Sequence, residues 1–360
     1  MTNDAHTYVL QLTPLGRAAL SSVFVCGPRA AEIIGTLFLP AARRVPDIGR
    51  IAFGHWKVKS GEEVVVCRRG EDEFEIHCHG GTAAVTAIVA DLVHAGCRPG
   101  DADRWLGRFS DDPIARDAYA ALTKARTERT AGILLDQLNG ALRRELTEIV
   151  ENLNAGETAA AQQRLGALLE RGDVGLHLTR PWQVVIAGRP NVGKSSLINA
   201  LVGYQRAIVY DQPGTTRDVV TSATAFDGWP VELSDTAGLR ATADRLEAAG
   251  IGAAERRIAA ADLQVLVFDQ AAPWTDADQR LVDAWPAALH VCNKCDLPAA
   301  GNPVRDPIMT SAVRGTGLPA LLREIVKRLV GQWPDEQLPV PFTPEQISAI
   351  RSAWDEAAPT

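Results

Sequence analysis

The chain has 360 residues, 46% hydrophobic and 22% charged, with a formal net charge of −7; this is the composition of a globular protein with room for about two or three domains. The acidic balance excludes holding nucleic acid by overall charge, so any RNA contact needs a local basic patch. The opening Met1-Thr2-Asn3-Asp4-Ala5-His6 lacks the basic start and apolar core of a signal peptide, no run reads as a membrane span, and six cysteines without a paired framework suit a reducing cytoplasm.

In chain order, Tyr8 to Leu12, Ser22 to Val25, Glu63 to Cys67 and Glu73 to His77 read as strands. Arg29 to Leu37 reads as a helix, and Thr82 to Ala95 as another, with Val85, Ile88, Val89, Leu92 and Val93 at helical spacing. Residues 1–110 are therefore expected to form an α+β domain. Within it, Glu75-Ile76-His77-Cys78-His79-Gly80-Gly81 places His77 and His79 on one side of a strand. Metal binding with Cys78 and Glu75 is one reading; a strand end turning through Gly80-Gly81 into a helix is the other, and is preferred.

Residues 111–180 are rich in Ala, Leu, Arg and Glu and predict a helical domain. Leu135, Leu138, Leu142, Leu146, Ile149 and Leu153 read as one apolar helix face. Asn154-Ala155-Gly156 breaks it, Thr158 to Arg171 forms the next helix, and Asp173 to Pro181 reads as a linker.

The stretch from 181 to 332 carries the chemistry. Val184-Val185-Ile186-Ala187 reads as a buried strand and Leu197 to Val202 as a helix. Between them stands Gly188-Arg189-Pro190-Asn191-Val192-Gly193-Lys194-Ser195-Ser196. Strand, G-x-x-x-x-G-K-S and helix in this order form a phosphate-binding loop. Its backbone N–H groups and the helix N-terminus converge on an anion. Lys194 is placed to reach the β- and γ-phosphates and Ser195 to face Mg2+.

Downstream, Asp211-Gln212-Pro213-Gly214-Thr215-Thr216-Arg217-Asp218 offers Thr216 as a further Mg2+ ligand that also meets the γ-phosphate. Val219 to Phe226 and Pro230 to Ser234 read as strands joined by an Asp227-Gly228 hairpin turn. Asp235-Thr236-Ala237-Gly238 follows, with Asp235 holding Mg2+ through water and the Gly238 N–H meeting the γ-phosphate. Leu263 to Asp269 and Ala288 to Cys292 are further strands, the second ending in Asn293-Lys294-Cys295-Asp296. The Asp296 carboxylate can accept from guanine N1–H and its 2-amino group, where adenine offers no donor. Thr310-Ser311-Ala312 can cap the guanine O6. The C-x-x-C of Cys292 and Cys295 has no second pair, so a structural zinc site is not expected there.

The expected architecture is thus α/β: a P-loop GTPase domain with a mixed, mostly parallel sheet flanked by helices. An α+β N-terminal domain and a helical segment precede it. Residues 333–360 offer a short linker and a helix, opened by Thr343-Pro344-Glu345-Gln346 as a capping box with proline first.

Together these features resemble translation-factor-type GTPases. Gly188 to Ser196, Gly214-Thr215-Thr216-Arg217-Asp218 and Asp235-Thr236-Ala237-Gly238-Leu239-Arg240 narrow the resemblance. With Thr13-Pro14-Leu15-Gly16-Arg17, Glu71-Asp72, Glu75 to Gly81 and Gln137 to Leu142, the chain is similar to the MnmE/TrmE family of tRNA-modifying GTPases. The likeness spans nearly the whole chain, strongly over 180–330 and loosely before it. It implies GTP hydrolysis to GDP in modification of tRNA wobble uridines to the 5-carboxymethylaminomethyl type. It further implies a homodimer through the N-terminal domain, transient pairing of GTPase domains, and a flavoprotein and tRNA as partners in the cytoplasm.

Leu239 stands where many small GTPases carry a water-orienting glutamine. The resemblance supplies substitutes. Asn191 matches a residue that helps bind K+, with Tyr210, Gln212 and Thr215 completing the shell. Glu247 matches the family's catalytic glutamate, which positions the attacking water through a bridging water; Lys194 and Gly238 are the other catalytic residues expected. Glu75 matches a folate ligand for a 5-formyltetrahydrofolate-type one-carbon donor. The matching arginine position, however, holds Phe24, and the family's Gly-Gly is Ala18-Ala19. The chain has no cysteine after Cys295 and ends Arg351 to Thr360 without the family's terminal cysteine motif or long C-terminal helical half. The GTPase equipment is complete and the modification equipment thin. This leaves an alternative reading: a GTP-dependent regulatory module that has lost the tRNA chemistry.

Overall fold

The computed structural model describes residues 6–13, 18–42, 45–56, 61–101, 110–204, 221–235, 258–301, 303–334 and 337–357. The chain divides into two compact units, residues 1–111 and 112–360.

In the first unit, β1 (Tyr8–Gln11), β2 (Leu20–Cys26), β3 (Phe38–Pro40), β4 (Ile51–Trp56), β5 (Glu63–Gly70), β6 (Glu73–His79) and β7 (Arg98–Pro99) form one seven-stranded sheet, ordered β3-β4-β5-β6-β2-β1-β7. Neighbours are antiparallel except β1 with β7. Strand alternation sets the faces. Val23 and Val25, Val64 and Val66, and Phe74 and Ile76 share a core with α1 (Ala30–Leu37) and α2 (Thr82–His94) through Ile33, Ile34, Ile88 and Leu92. Ser22, Phe24, Glu75 and His77 alternate with them onto the other face.

The sequence pattern does not predict β3, β4 or β7. In β4 the apolar Ile51 and Phe53 are exposed, so the usual alternation of apolar-in and polar-out is lost. The two histidines of β6 have separate partners. His77 Nδ1 lies 2.8 Å from Ser22 Oγ, and His79 Nδ1 lies 2.6 Å from Glu62 Oε1. No group of three metal-ligating side chains occurs among the described residues, and β6 turns through Gly80-Gly81 into α2.

The second unit begins with α3 (Pro113–Leu122), α4 (Glu128–Leu138), α5 (Ala141–Asn154) and α6 (Thr158–Leu176). Then come β8 (Trp182–Ala187), α7 (Lys194–Tyr204), β9 (Thr221–Phe226), β10 (Trp229–Asp235), β11 (Leu263–Asp269), α8 (Asp276–Ala284), β12 (Leu289–Asn293), β13 (Ile308–Met309), α9 (Leu318–Val330) and α10 (Pro344–Glu356). The sheet runs β13-β12-β11-β8-β10-β9 and is parallel except for β9. β9 joins β10 through Asp227 at φ 48° and Gly228 at φ 77°, the two positive values a tight hairpin turn demands.

Val184, Ile186, Val231, Leu233, Val265 and Val267 face one way into a core with Leu197 and Leu201 of α7 and Leu321 and Ile325 of α9. That core is continuous with Leu134, Leu142, Ile149, Leu165 and Leu168 of α4 to α6. Ala187, Leu266, Phe268 and Cys292 face the other way, under Leu281, Val282 and Trp285 in and beside α8. Burial on both faces explains why the strands read as continuous apolar runs.

Two helical expectations need correction. The single apolar face from Leu135 to Leu153 is split between α4 and α5 by Gly140 at φ 91°, and Leu135 and Leu153 are exposed while Leu134 is buried. The turn rotates the second helix, so one periodic count cannot run through both. Helix α6 also continues to Leu176, into the segment read as a linker.

The last segment is firmly seated. Gln137 is 1% exposed; its Nε2 donates to Leu338 O at 2.9 Å and its Oε1 accepts from Val340 N at 3.1 Å. Val340, Phe342 and Ile350 enter the shared core. Thr343 caps α10 by accepting from Gln346 N at 3.2 Å, and Gln346 Oε1 accepts from Phe342 N at 3.0 Å.

Candidate nucleotide site

The site gathers at the C-terminal ends of β8, β10, β11 and β12, the crevice where open α/β sheets bind ligands. β8 ends at Ala187, the loop spans residues 188–193, and α7 starts at Lys194. Gly193 has φ 97°, and a Cβ there would lie 2.4 Å from the Asn293 side-chain nitrogen, so only glycine fits. Asn191 adopts φ 65°, a left-handed conformation asparagine tolerates.

Three of the loop's carbonyl groups are held by side chains. Lys194 Nζ donates to Arg189 O at 3.0 Å, Lys294 Nζ to Asn191 O at 2.8 Å, and Asn293 Nδ2 to Val192 O at 3.0 Å. These bonds fix the backbone of the loop, whose N–H groups are the kind of donors that bind anions at such turns. Lys194 is 6% exposed, so its ammonium acts in a poorly hydrated setting where charge counts for more. Ser195 Oγ donates to Asp235 Oδ2 at 2.7 Å. This joins the first helical turn of α7 to the end of β10.

Asn293 is a buried hub. Its Oδ1 accepts from Ala312 N at 3.2 Å and Thr310 Oγ1 at 3.3 Å, which locks the turn after β13 to the turn after β12. Lys294 also pairs with Asp269 Oδ2 at 2.6 Å. The Ser311 hydroxyl, and more weakly Arg314, hold the Asp296 carboxyl below the usual carboxylate range. Arg314 Nε lies 3.9 Å from Asp296 Oδ2. The resulting anion can accept two hydrogen bonds from one edge of a planar base.

The structure therefore brings together Asn191, Val192, Gly193, Lys194, Ser195, Asp235, Asn293 and Lys294 by direct contact, with Ser196 on the first turn of α7. Asp296, Ser311 and Ala312 adjoin them through Asn293 and the Ser311 hydroxyl. Tyr210, Gln212, Thr215, Thr216, Thr236, Ala237, Gly238 and Glu247 lie outside the described residues. Motif spacing does not single out Arg189, Asp269, Asp278 or Arg314. For Asp269, an acid closing a strand beside the lysine of N-K-x-D was the available signal.

A family model described as 50S ribosome-binding GTPase matches residues 183–294. The tRNA modification GTPase MnmE of Synechococcus sp. strain CC9311 is 32% identical over 366 residues, covering 87% of this chain and 78% of that protein. Its counterpart in Synechococcus sp. strain WH7803 is 32% identical over 411 residues, covering 99% and 88%. That of Prochlorococcus marinus strain MIT 9313 is 34% identical over 376 residues, covering 87% and 78%.

The chain belongs to the MnmE family of GTPases.

It is a GTP hydrolase built on a P-loop GTPase domain, as the motifs led one to expect. Among solved structures, Aquifex aeolicus Era bound to GDP and aluminium fluoride is similar at 22% identity and a TM-score of 0.31, over 43% of this chain and 58% of that one. The G domain of the T. maritima FeoB iron transporter is similar at 23% and 0.27, over 41% and 99%. No helix among the described residues is long and apolar enough to cross a membrane.

Proposed function

We propose that this MnmE-family chain binds GTP with Mg2+, hydrolyses it with the help of K+, and does so in the modification of tRNA wobble uridines. The observation that carries the nucleotide part is the Asn293–Asp296 turn bonded to the phosphate loop through Asn293 Nδ2 and Lys294 Nζ. One rigid unit then reads the base and orients the phosphates. Asp296 accepts from guanine N1–H and the 2-amino group, and the Ser311-Ala312 backbone caps O6. Lys194 holds β- and γ-phosphate oxygens, with the backbone of Asn191 to Ser196 around them.

Ser195 Oγ and Asp235 Oδ2, 2.7 Å apart, are oxygen donors of the kind Mg2+ takes, so the residues present fit the ion. Thr216 completes its ligand set in this reading, with Asp235 acting through water. When bound, Mg2+ would supply positive charge that offsets the negative charge of the phosphates. Asn191, with Tyr210, Gln212 and Thr215, is assigned to K+. Glu247 positions the attacking water through a bridging water, and Thr236, Ala237 and the Gly238 N–H line the γ-phosphate. Water oxygen bonds to the γ-phosphorus, the bond to the β–γ bridging oxygen breaks, and the water proton leaves on inorganic phosphate.

The same reading assigns residues 1–110 to homodimer formation, 111–180 to a helical domain, 181–332 to the GTPase domain and 333–360 to a closing segment. Two GTPase domains pair transiently during hydrolysis. A flavoprotein and tRNA are the partners, and the setting is the cytoplasm. Family membership supports these assignments.

Folate does not fit. Phe24 is 1% exposed and pairs directly across the strands from Glu75. Glu75 is 8% exposed and already takes Arg69 Nη2 at 2.9 Å, with His77 Nε2 at 3.5 Å. The carboxylate is neutralised from within the sheet, and an aromatic ring fills the place of the matching arginine. No step is drawn through folate. This pair favours the second reading, a GTP-controlled interaction module without the tRNA chemistry. Nucleoside mass spectrometry of total tRNA from the native host lacking this gene separates the two. Loss of 5-substituted wobble uridines is expected; an unchanged profile in a host without another family member moves the function to the second reading.

A further inference from the structure

Asp278 is 1% exposed, a carboxylate in the interior of the GTPase domain. Its two oxygens have different tasks. Oδ2 accepts from Thr275 N at 3.0 Å and Thr275 Oγ1 at 2.8 Å, closing the N-terminal turn of α8. Oδ1 accepts from Arg189 Nε at 2.7 Å. Arg189 is the first side chain of the phosphate loop, and its Nη2 also donates to Pro273 O at 3.2 Å. The guanidinium thus spans a segment of two neighbouring turns, residues 273–278, which holds it in place among the described residues.

The backbone of the same residue does something else. Arg189 O accepts from Lys194 Nζ at 3.0 Å, and this carbonyl holds the buried ammonium at the mouth of the loop. A carbonyl can hold a cation only where its own Cα is held. We propose that Asp278 is a positioning residue for phosphate binding: it anchors Arg189 from α8, and Arg189 O in turn sets where Lys194 presents its charge. The inference rests on the GTP-site reading above. It assigns a nucleotide-binding role to a helix-capping residue that touches neither base nor phosphate.

The physical reason is a matter of charge as well as shape. Asparagine at 278 keeps the volume and an acceptor for the Thr275 donors, so α8 keeps its cap. It removes the negative charge facing Arg189, which is left half-paired in a part-buried place. The loss falls on the loop's first turn rather than on the base-reading turn, because Asn293 and Lys294 hold the loop independently at Val192 O and Asn191 O.

The test is the affinity of Asp278→Asn, Arg189→Gln and the double variant for GDP and for GMP. GMP lacks the β-phosphate that Lys194 reaches and reports the base site alone. Each single variant is expected to lose about tenfold in GDP affinity, the size of one charge-assisted hydrogen bond, with GMP affinity unchanged. The double variant is expected to lose no more than either single one. Equal losses for GDP and GMP, additive losses, or a lowered melting temperature with unchanged GDP-to-GMP preference would each overturn the proposal. Absence of GDP binding by the unaltered chain would instead overturn the GTP-site reading. Should Asp278→Asn fail to fold, Arg189→Gln, at a side chain 27% exposed, carries the same comparison.

Discussion

Ser195 Oγ and Asp235 Oδ2 lie 2.7 Å apart, although forty positions separate them in the chain. The contact ties the start of α7 to the end of β10, and it brings a hydroxyl and a carboxylate to one point. Ser195→Ala deletes the hydroxyl and leaves the loop backbone in place. The Mg2+ concentration needed for half-maximal GTP hydrolysis is expected to rise at least about tenfold, the usual size of losing one ligand or its close partner. A Mg2+ titration of the steady-state rate measures this; an unshifted curve would remove Ser195 from the ion's surroundings.

Base choice has its own chemical signature. Asp296→Asn turns one carboxylate oxygen into an N–H donor. Xanthine keeps N1–H but carries a carbonyl where guanine has its 2-amino group, so asparagine matches xanthine and mismatches guanine. GTP affinity is expected to fall by about a hundredfold, with xanthosine triphosphate gaining in its place. Competition binding with the two nucleotides decides it, and a variant that loses both equally would assign Asp296 to structure.

The pH dependence follows from the same residue. In the proposed site guanine pairs with the ionised Asp296, and the Ser311 hydroxyl lowers that carboxyl's pKa. A depressed pKa keeps the anion present as pH falls, so base recognition is lost only below the ordinary carboxylate range. Ser311→Ala raises the pKa toward its usual value. Its GDP affinity is expected to fade at higher pH than that of the unaltered chain, and superimposable pH profiles would contradict this.

Hydrolysis is expected to be faster in KCl than in NaCl, and more so as protein concentration rises and GTPase domains pair. Glu247→Ala is expected to lose most of kcat while keeping GTP affinity. Equal rates in both salts at every concentration would count against the K+ assignment. Loss of binding in the variant would place Glu247 in the structure of the fold.

How much of this was legible in sequence depends on how local the cause is. The phosphate loop announces itself because strand, glycines, lysine and helix are consecutive, and the Asp227-Gly228 turn because two residues dictate it. Asp278 was not legible as a loop anchor, since its partner Arg189 is 89 positions away and nothing in a Thr275-x-x-Asp278 cap distinguishes an anchoring carboxylate from an ordinary one. The outward apolar face of β4 hid that strand, because periodicity reads burial and these residues are exposed. The α4–α5 break was missed for the opposite reason. Leucine spacing ran on through Gly140, and only the backbone at φ 91° shows that the helix direction changes there.

Gln137 offers the sharpest test of how the closing segment is held. Its amide is the partner of both Leu338 O and Val340 N, and the side chain is 1% exposed. Gln137→Ala removes both hydrogen bonds and leaves a cavity beside the part-buried Leu338 carbonyl and the buried Val340 N–H. Each unpaired buried group costs about 1–3 kcal/mol, so a destabilisation of about 2–5 kcal/mol is expected in a denaturant titration. Gln137→Glu keeps the size and the acceptor for Val340 N but loses the donor to Leu338 O and buries a charge, so it is expected to be no better than alanine. Because the two groups belong to the chain entering α10, the loss is expected to appear first as faster hydrogen exchange in residues 338–356. Uniform exchange across the unit would mean that this segment unfolds only with the whole shared core.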